Sequence, residues 1–334
     1  MNWDILGHEW AVKLLKEHIQ QNGLRHAYLF VGPPGVGRRT LALRLAQALN
    51  CPSPTAPAEP CLKCRTCLQI EHGQHADLTI IQAEQEGKDI KVNQVRDLQH
   101  QLALAPYQSP YRIGLLHGFQ DANANAQNAM LKTLEEAPPK VILLLTADDA
   151  EALLPTIVSR CEVLRLRPLP LARIAEYLTL KFPALKPETI QILTHLSEGR
   201  PGYALRLAGA PALLEKRQQI LDRLVELLPA SRRGRFAYID SLTRSRDKQR
   251  EHLRGVFRIW LSYWRDVLLC AARSSTPLVN LDYATQIQSL ADQIGLDEAR
   301  RAVEAILTSQ GYLDANVNPH LLGEVLMLDL PFIR

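Results

Sequence analysis

Two groups of residues in this chain have the types and spacing to do chemistry. The first is Gly32-Pro33-Pro34-Gly35-Val36-Gly37-Arg38-Arg39-Thr40. An apolar run, Ala27 to Val31, precedes it, and an amphipathic run, Leu41 to Leu49, follows. That is the strand, glycine loop, helix order of a phosphate-binding loop. Glycines at 32, 35 and 37 let backbone N–H groups converge on an anion at a helix N-terminus. Two chemical positions depart from that pattern. Arg38 stands where the loop lysine belongs, and Arg39 where a Ser or Thr would hold Mg²⁺. Thr40 comes one residue late, a rotation of about 100° on a helix, so its hydroxyl points elsewhere. Gly32, Gly35, Gly37 and Arg38 are therefore expected to form a vestigial nucleotide cradle. ATP binding by this chain is expected to be weak or absent, with a phosphate contact by Arg38 and Arg39 left open.

The second group is Cys51, Cys61, Cys64 and Cys67, a Cys-x9-Cys-x2-Cys-x2-Cys array. The segment between the first two is rich in proline (Pro52, Pro54, Pro57, Pro60) and must be irregular. Paired x2 spacing lets neighbouring thiolates reach one ion, and four of them close a tetrahedral Zn²⁺ site. The alternative is four unrelated thiols. Their concentration in one short segment, out of six cysteines in the chain, speaks against it. Such a closed site has no open position for a substrate, so the expected metal is a structural staple. His72 and His75 are read as surface or supporting residues, since four thiolates already fill zinc. Cys161 and Cys270 lie outside the array, and Cys270 reads as core.

A phosphate-binding loop that hydrolyses ATP also needs a strand ending in acidic residues, to order Mg²⁺ and polarise a water. The corresponding run is Ile113-Gly114-Leu115-Leu116-His117-Gly118-Phe119-Gln120. His117 and Gly118 occupy the acidic positions. Asp121 lies beyond the strand, where it suits the N-cap of the next helix. Losing the metal-binding hydroxyl, the strand carboxylate and the base together argues against hydrolysis.

The elements that must position these groups follow from periodicity. Helical spacing covers 5–22 and the loop helix runs to about Asn50. Strands are predicted at 27–31, 78–82, 112–116, 141–146 and 162–166. Helices are predicted at about 92–104, 122–136 and 153–159. Strands alternating with helices mean a mostly parallel α/β sheet. After Pro168 the strand signal stops; 170–208 holds short helical patterns, and from about 211 onward everything reads as helix. Leu253, Val256, Phe257, Trp260, Leu261, Trp264, Val267 and Leu268 keep 3/4 spacing over four turns, and 295–308 and 318–330 repeat it more weakly. The Trp260/Trp264 stripe reads as helical core or subunit contact.

The 334 residues exceed one ordinary domain. Hydrophobic content of 46% and charged content of 22% are those of a soluble globular protein. A net charge of +4 without a long Lys/Arg tract permits nucleic-acid contact without arguing for it. No apolar run approaches the ~20 residues of a membrane span. The start, Met1-Asn2-Trp3-Asp4, does not read as a signal peptide, so the cytoplasm is the expected location. There the cysteines are expected as ligands or thiols rather than disulfides.

A family resemblance rests on further residues. Asn128-Ala129-Met130-Leu131-Lys132-Thr133-Leu134-Glu135-Glu136-Ala137-Pro138-Pro139, then Leu144-Leu145-Thr146-Ala147 and Ser159-Arg160-Cys161, resemble bacterial DNA polymerase III clamp-loader subunits. The likeness spans nearly the whole chain, including the four-cysteine insertion and Asn316-Val317-Asn318-Pro319. Motor subunits of that family keep Lys-Thr in the loop and Asp-Glu on the strand. This chain keeps neither and is most similar to the delta prime branch, the non-hydrolysing stators.

The resemblance implies an AAA+ α/β domain with a parallel sheet and the zinc module (1–167), a small helical lid (168–209) and an all-α collar (210–334). It implies a hetero-pentamer with gamma/tau ATPase subunits and the delta subunit, acting on the sliding clamp and, through the complex, on primer–template DNA. It implies that Arg160 serves as an arginine finger, reaching in trans into the ATP site of a neighbouring motor. A guanidinium offers a planar fork to γ-phosphate oxygens and stays charged at any working pH; from spacing alone, Arg160 reads as a salt-bridged surface residue. Motors carry an arginine at the fourth position of a Gly-Ser-x-Arg turn in the lid. Here the turn is Gly199-Arg200-Pro201-Gly202, with Gly202 in that place and Arg200 read as a solvated charge. Lys132 reads as solvated. Two other functions stay open at this point: an active ATPase motor with a variant loop using Arg38 and a shifted acid, and a stand-alone zinc-dependent nucleic-acid binder.

Overall fold

A computed structural model describes residues 3–84, 89–244, 249–315 and 317–333; Asn316 of the late motif lies outside the described residues. The chain divides into two compact units, Met1–Pro170 with Gly199–Tyr203, and Leu171–Glu198 with Ala204–Arg334.

The first unit opens with α1 (Glu9–Gln20), then β1 (Ala27–Val31), α2 (Arg38–Asn50) and a short α3 (Arg65–Glu71). It continues through β2 (Leu78–Ile81), α4 (Val92–Leu102), β3 (Arg112–Leu116), α5 (Ala124–Glu135), β4 (Val141–Ala147), α6 (Pro155–Val158) and β5 (Glu162–Arg165). All strands are parallel, in the order β2-β3-β4-β1-β5. This is the parallel α/β sheet that the resemblance implied. β1, β3 and β4 are buried at every position, which is why they read as continuous apolar runs rather than alternating ones. One face of the sheet, with Tyr28, Phe30, Ile113, Leu115 and Leu144, packs on Ala11, Leu15, Leu41 and Leu45 of α1 and α2. The other face, with Leu29, Leu143 and Leu145, packs on Val95, Leu98, Met130 and Leu134 of α4 and α5. Register places Leu29 between Leu145 and Val163, so β1 is flanked on both sides and delivers the glycine loop from inside the sheet. The C-terminal ends of β1, β3 and β4 therefore lie side by side at the usual ligand edge of a parallel sheet.

One capping expectation is overturned. Asp121 closes a 3-10 turn, Phe119–Asp121, and the N-cap of α5 is Asn123, whose Oδ1 accepts from Ala126 N–H at 2.9 Å. The turn consumes the residues expected to begin the helix, so α5 starts two positions late. The helix α3 was not expected. It starts on Cys64, whose Sγ accepts from the Cys67 N–H, so a thiol does the capping usually done by a hydroxyl.

The second unit holds α7 (Leu171–Lys181), α8 (Pro187–Ser197), most of α9 (Pro201–Gly209), α10 (Pro211–Leu227), α11 (Arg232–Thr243), α12 (Gln249–Ala271), α13 (Ala284–Asp314) and α14 (Pro319–Asp329). α12 is its axis. Leu253, Val256, Phe257, Trp260, Trp264 and Val267 are buried against α10, α11, α13 and α14, so the tryptophan stripe is core. Leu261 and Leu268 lie at its margin, partly buried. α13 is broken at Gly295, whose φ of 74° no helix admits. Arg235 acts as an internal clasp, donating to the carbonyls of Leu227, Leu228, Met327, Leu330 and Pro331. It satisfies the open carbonyls at the ends of α10 and α14, where helices lack internal donors. His195 of α8 bonds the Leu278 carbonyl through Nδ1 at 2.7 Å, tying α8 to the segment before α13. No described helix is long and apolar enough to cross a membrane.

Candidate functional site

The glycine loop has the backbone that its sequence demands. Gly32 has φ 151°, and a Cβ there would lie 2.3 Å from the Leu166 carbonyl oxygen, so only glycine fits. Gly35 has φ 86°, and a Cβ there would meet Tyr203 at 3.1 Å. Three contacts brace the loop. The Gly32 N–H donates to the Ala147 carbonyl at 3.2 Å, the Gly202 N–H donates to the Gly35 carbonyl at 2.8 Å, and His8 Nε2 bonds the Val36 carbonyl at 3.0 Å. Burial holds His8 below its ordinary pKa, against the opposing pull of the Val36 carbonyl, so the imidazole is neutral and serves as a donor. Neither His8 nor the seat of Gly202 on Gly35 was foreseen from sequence; the contacts join positions 28 and 167 residues apart.

Arg38 opens α2 on the N-cap Gly37. Its side chain is 8% exposed, and Nη2 forms an ion pair with Asp148 Oδ1 at 2.6 Å, just past the end of β4. Nη1 is buried with no partner among the described residues. The cation that a phosphate would need is thus engaged by the chain's own carboxylate. Arg39 and Thr40 are exposed, as the helical rotation required. Asp148 is the residue that sequence reasoning missed here; nothing in its local sequence marks a partner for a loop 110 residues earlier.

The acidic strand end is absent, as expected. His117 Nδ1 lies 3.0 Å from Thr146 Oγ1, and the Gly118 N–H donates to the same oxygen at 2.9 Å. Burial, and then the charges on Arg39 and Arg38, hold the His117 imidazole below its usual pKa. A neutral imidazole and a glycine stand where a pair of carboxylates would, and neither supplies an oxygen ligand for Mg²⁺. Asp121 does not substitute, since it belongs to the turn beyond the strand.

The four cysteines converge. Their Sγ atoms all lie within 4.8 Å of one another. A tetrahedron with metal–sulfur bonds of about 2.3 Å has edges of about 3.8 Å, and Cys61 Sγ and Cys67 Sγ are 4.0 Å apart. Backbone N–H groups of Cys61, Cys64 and Cys67 point at the sulfurs of Cys51, Cys61 and Cys64, at 3.4, 3.3 and 3.4 Å. Burial pushes the Cys61 thiol up, but the N–H groups of Lys63 and Cys64 outweigh it and bring it down to about 6. A compact all-thiol donor set with thiolate-stabilising N–H groups fits a metal ion of the zinc type, and these residues could hold one. His72 caps α3 at the surface, and His75, buried, bonds the Asp77 N–H through Nδ1; neither joins the thiol cluster. Cys161 is partly buried, its thiol pushed up to about 12 by burial, and Cys270 packs at the edge of the helical core.

Arg160 sits in the turn between α6 and β5. Its side chain is 33% exposed, and Nη2 forms an ion pair with Glu135 Oε1 at 2.5 Å. Nη1 donates to the Thr156 carbonyl at 2.8 Å. Arg160 and the glycine loop thus occupy different places in the first unit, and the structure does not bring them into one site. Arg200 departs from the solvated reading: its guanidinium lies over the Tyr203 ring at 4.9 Å. Lys132 is exposed on α5.

A parallel P-loop sheet whose loop cation is internally paired, a four-thiol cluster and a helical second unit define the class: a degenerate P-loop subunit with an all-α C-terminal region. Comparison with known proteins narrows it. The family described as DNA polymerase III, delta subunit, matches residues 7–170, and its C-terminal counterpart matches residues 211–331. DNA polymerase III subunit delta' of Bacillus subtilis (strain 168) is 30% identical over 320 residues, covering 96% of this chain and 95% of that protein. The delta' subunit of Pseudomonas aeruginosa is 38% identical over 204 residues, 61% of each chain. DNA polymerase III subunit tau of Escherichia coli (strain K12) is 34% identical over 208 residues, 61% of this chain and 32% of tau. This chain belongs to the DNA polymerase III delta' subunit family, and it is a component of that replication complex. The resemblance to clamp-loader subunits of the delta prime branch is borne out.

The Arg38–Asp148 pair makes a testable statement about the cradle. Asp148→Asn removes the competing carboxylate while keeping the side chain's shape. A charge-assisted contact of this kind is worth about 1.5 kcal/mol, roughly tenfold in affinity. Calorimetric titration with ADP should therefore show tighter binding by Asp148→Asn than by the wild-type chain. Equal affinities would mean that the ion pair does not guard the loop.

Proposed function

We propose that this chain is the non-hydrolysing stator of a clamp loader, supporting ATP-dependent loading of a sliding clamp onto primed DNA. In this reading it assembles with gamma/tau-type ATPase subunits and a delta subunit in a hetero-pentamer, touching the clamp indirectly and primer–template DNA through the complex. Residues 1–167 form its AAA+ domain, 168–209 a lid and 210–334 the collar. It works in the cytoplasm, and turnover of ATP belongs to the neighbouring motor.

The observation that carries this reading is the ion pair between Arg38 and Asp148. A loop that hydrolyses ATP must present its cation to the β- and γ-phosphates and order Mg²⁺ with a hydroxyl and a carboxylate. Here the cation is engaged, the hydroxyl has rotated out, and His117 stands at the strand end. Gly32, Gly35, Gly37 and Arg38 then serve as scaffold rather than as a working site. Arg160 is the guanidinium on the surface of the same unit that the reading assigns to the neighbour's ATP. Cys51, Cys61, Cys64 and Cys67 hold a structural Zn²⁺ that folds the proline-rich insertion onto α2.

Two experiments test it. Arg160→Ala, built into a reconstituted loader, should lower phosphate release with clamp and primed DNA by roughly threefold or more, because a finger is worth about 10³–10⁵ at the single site it serves. The complex should still elute as one species in size-exclusion chromatography. Undiminished turnover would remove the finger. For the metal, elemental analysis of the purified chain should find about one zinc per polypeptide, lost in Cys64→Ser together with a lower melting temperature. A chain without metal whose four thiols all react freely with a thiol reagent would overturn the assignment.

A further inference from the structure

Arg160 is held on its own subunit in a way that bears on how a finger would work. Nη2 is taken by Glu135 Oε1 at 2.5 Å. Nη1 is taken by the Thr156 carbonyl at 2.8 Å, with Ser159 Oγ at 3.5 Å. Nε is buried and has no partner among the described residues. A phosphate is bound best by two parallel N–H groups of one guanidinium edge. In this arrangement Nη2, which belongs to both edges, carries the contact with Glu135, Nη1 is bonded to the backbone, and Nε is enclosed.

Glu135 itself is oddly placed. It is the last residue of α5, and Glu136 follows as the C-cap. Two carboxylates at a helix C-terminus oppose the partial negative charge of the last carbonyls. Arg160, brought against Glu135, relieves that repulsion, so the pair is favoured from the side of the helix as well as of the cation. The orphaned Nε is the cost of the arrangement, because an enclosed donor without an acceptor is unfavourable. A conformer in which Nε and Nη2 together face an anion would satisfy that donor and set the anion in competition with Glu135 for Nη2.

We propose that Glu135 parks the finger: it is the positioning residue that holds Arg160 back on its own subunit until a neighbour's triphosphate competes for Nη2. This rests on the reading of Arg160 as a finger in trans. The apparent affinity of the neighbouring site for ATP is then lowered by the fraction of time the arginine spends on Glu135. Both side chains are partly exposed, 33% for Arg160 and 50% for Glu135, so the tether is weak and sensitive to salt.

The test uses the complete reconstituted loader, carrying this chain as wild type, Glu135→Gln, Glu135→Asp, Arg160→Ala, or the Glu135→Gln/Arg160→Ala double variant. The readout is the ATP concentration giving half-maximal turnover, at low and at raised ionic strength. Glu135→Gln should lower it by about two- to fivefold at low salt, the range of a partly exposed ion pair. The difference should shrink as salt rises. Glu135→Asp, which keeps the charge, should return it toward the wild-type value. In the Arg160→Ala background the glutamine should have no effect. If Glu135→Gln raises the half-saturating concentration or leaves it unchanged while Arg160→Ala cuts turnover, the parking role is wrong and the finger stands. If Arg160→Ala leaves turnover untouched, the finger fails, and the parking role fails with it.

Discussion

The ion pair between Arg38 and Asp148 closes the site on itself. A glycine loop at a helix N-terminus concentrates positive potential, and that potential is normally answered by phosphate. Here a carboxylate from the end of β4 answers it at 2.6 Å. Everything around the pair is consistent with a loop kept for its shape. The Gly35 carbonyl is pinned by Gly202, the Val36 carbonyl by His8, and the Gly32 N–H by Ala147. His117 remains neutral because burial and two nearby arginines oppose a further positive charge. A motor needs groups that change partner as nucleotide comes and goes. In this cradle Arg38 Nη2, the Gly32 N–H and the Gly35 and Val36 carbonyls already have partners from the chain.

The cysteine module belongs to the same construction. Arg44 and Gln47 on α2 reach across to it: Arg44 bonds Glu71 and the Trp3 carbonyl, and Gln47 Nε2 donates to the Cys67 carbonyl at 2.8 Å. From the other side, Trp3 Nε1 donates to the Ala58 carbonyl and Lys16 of α1 pairs with Glu59. The insertion contributes few apolar side chains of its own, so it cannot order itself by burial. Structural zinc sites in small modules supply about 10–16 kcal/mol of binding free energy, comparable to the whole stability of a domain at about 5–15 kcal/mol. A metal on these thiols, as proposed, would therefore decide whether the insertion is folded, beside the helix that begins with Arg38.

Much of this was legible in the chain. Strands that are buried on both faces announce themselves as continuous apolar runs, and all five were placed within a residue or so. Cysteine spacing found the thiol cluster because the x2 spacing of Cys61, Cys64 and Cys67 lets neighbouring thiols face one ion. What could not be read were partners chosen by the fold. Asp148, Glu135, His8 and Gly202 carry no local signal of the groups they contact, since those contacts depend on which strand ends and helix ends the sheet brings together. The N-cap of α5 was misplaced because a 3-10 turn of Phe119–Asp121 intervened, and Asp and Asn are equally good caps by residue type alone. The solvated reading of Arg200 missed Tyr203 three positions on, where a helical turn sets the ring beneath the guanidinium.

In the proposed reading, self-neutralisation of the cradle makes the division of labour between subunits a matter of charge placement. The loop arginine is engaged internally by Asp148, while Arg160 is paired with Glu135 in a partly exposed contact, the one the proposed finger would have to leave. The most direct measurement is ATP turnover by the purified chain alone, with saturating Mg²⁺-ATP and with primed DNA present. A self-filled loop without a carboxylate for Mg²⁺ predicts phosphate release no faster than buffer. Turnover at the pace of a motor subunit, abolished by Arg38→Ala, would contradict it.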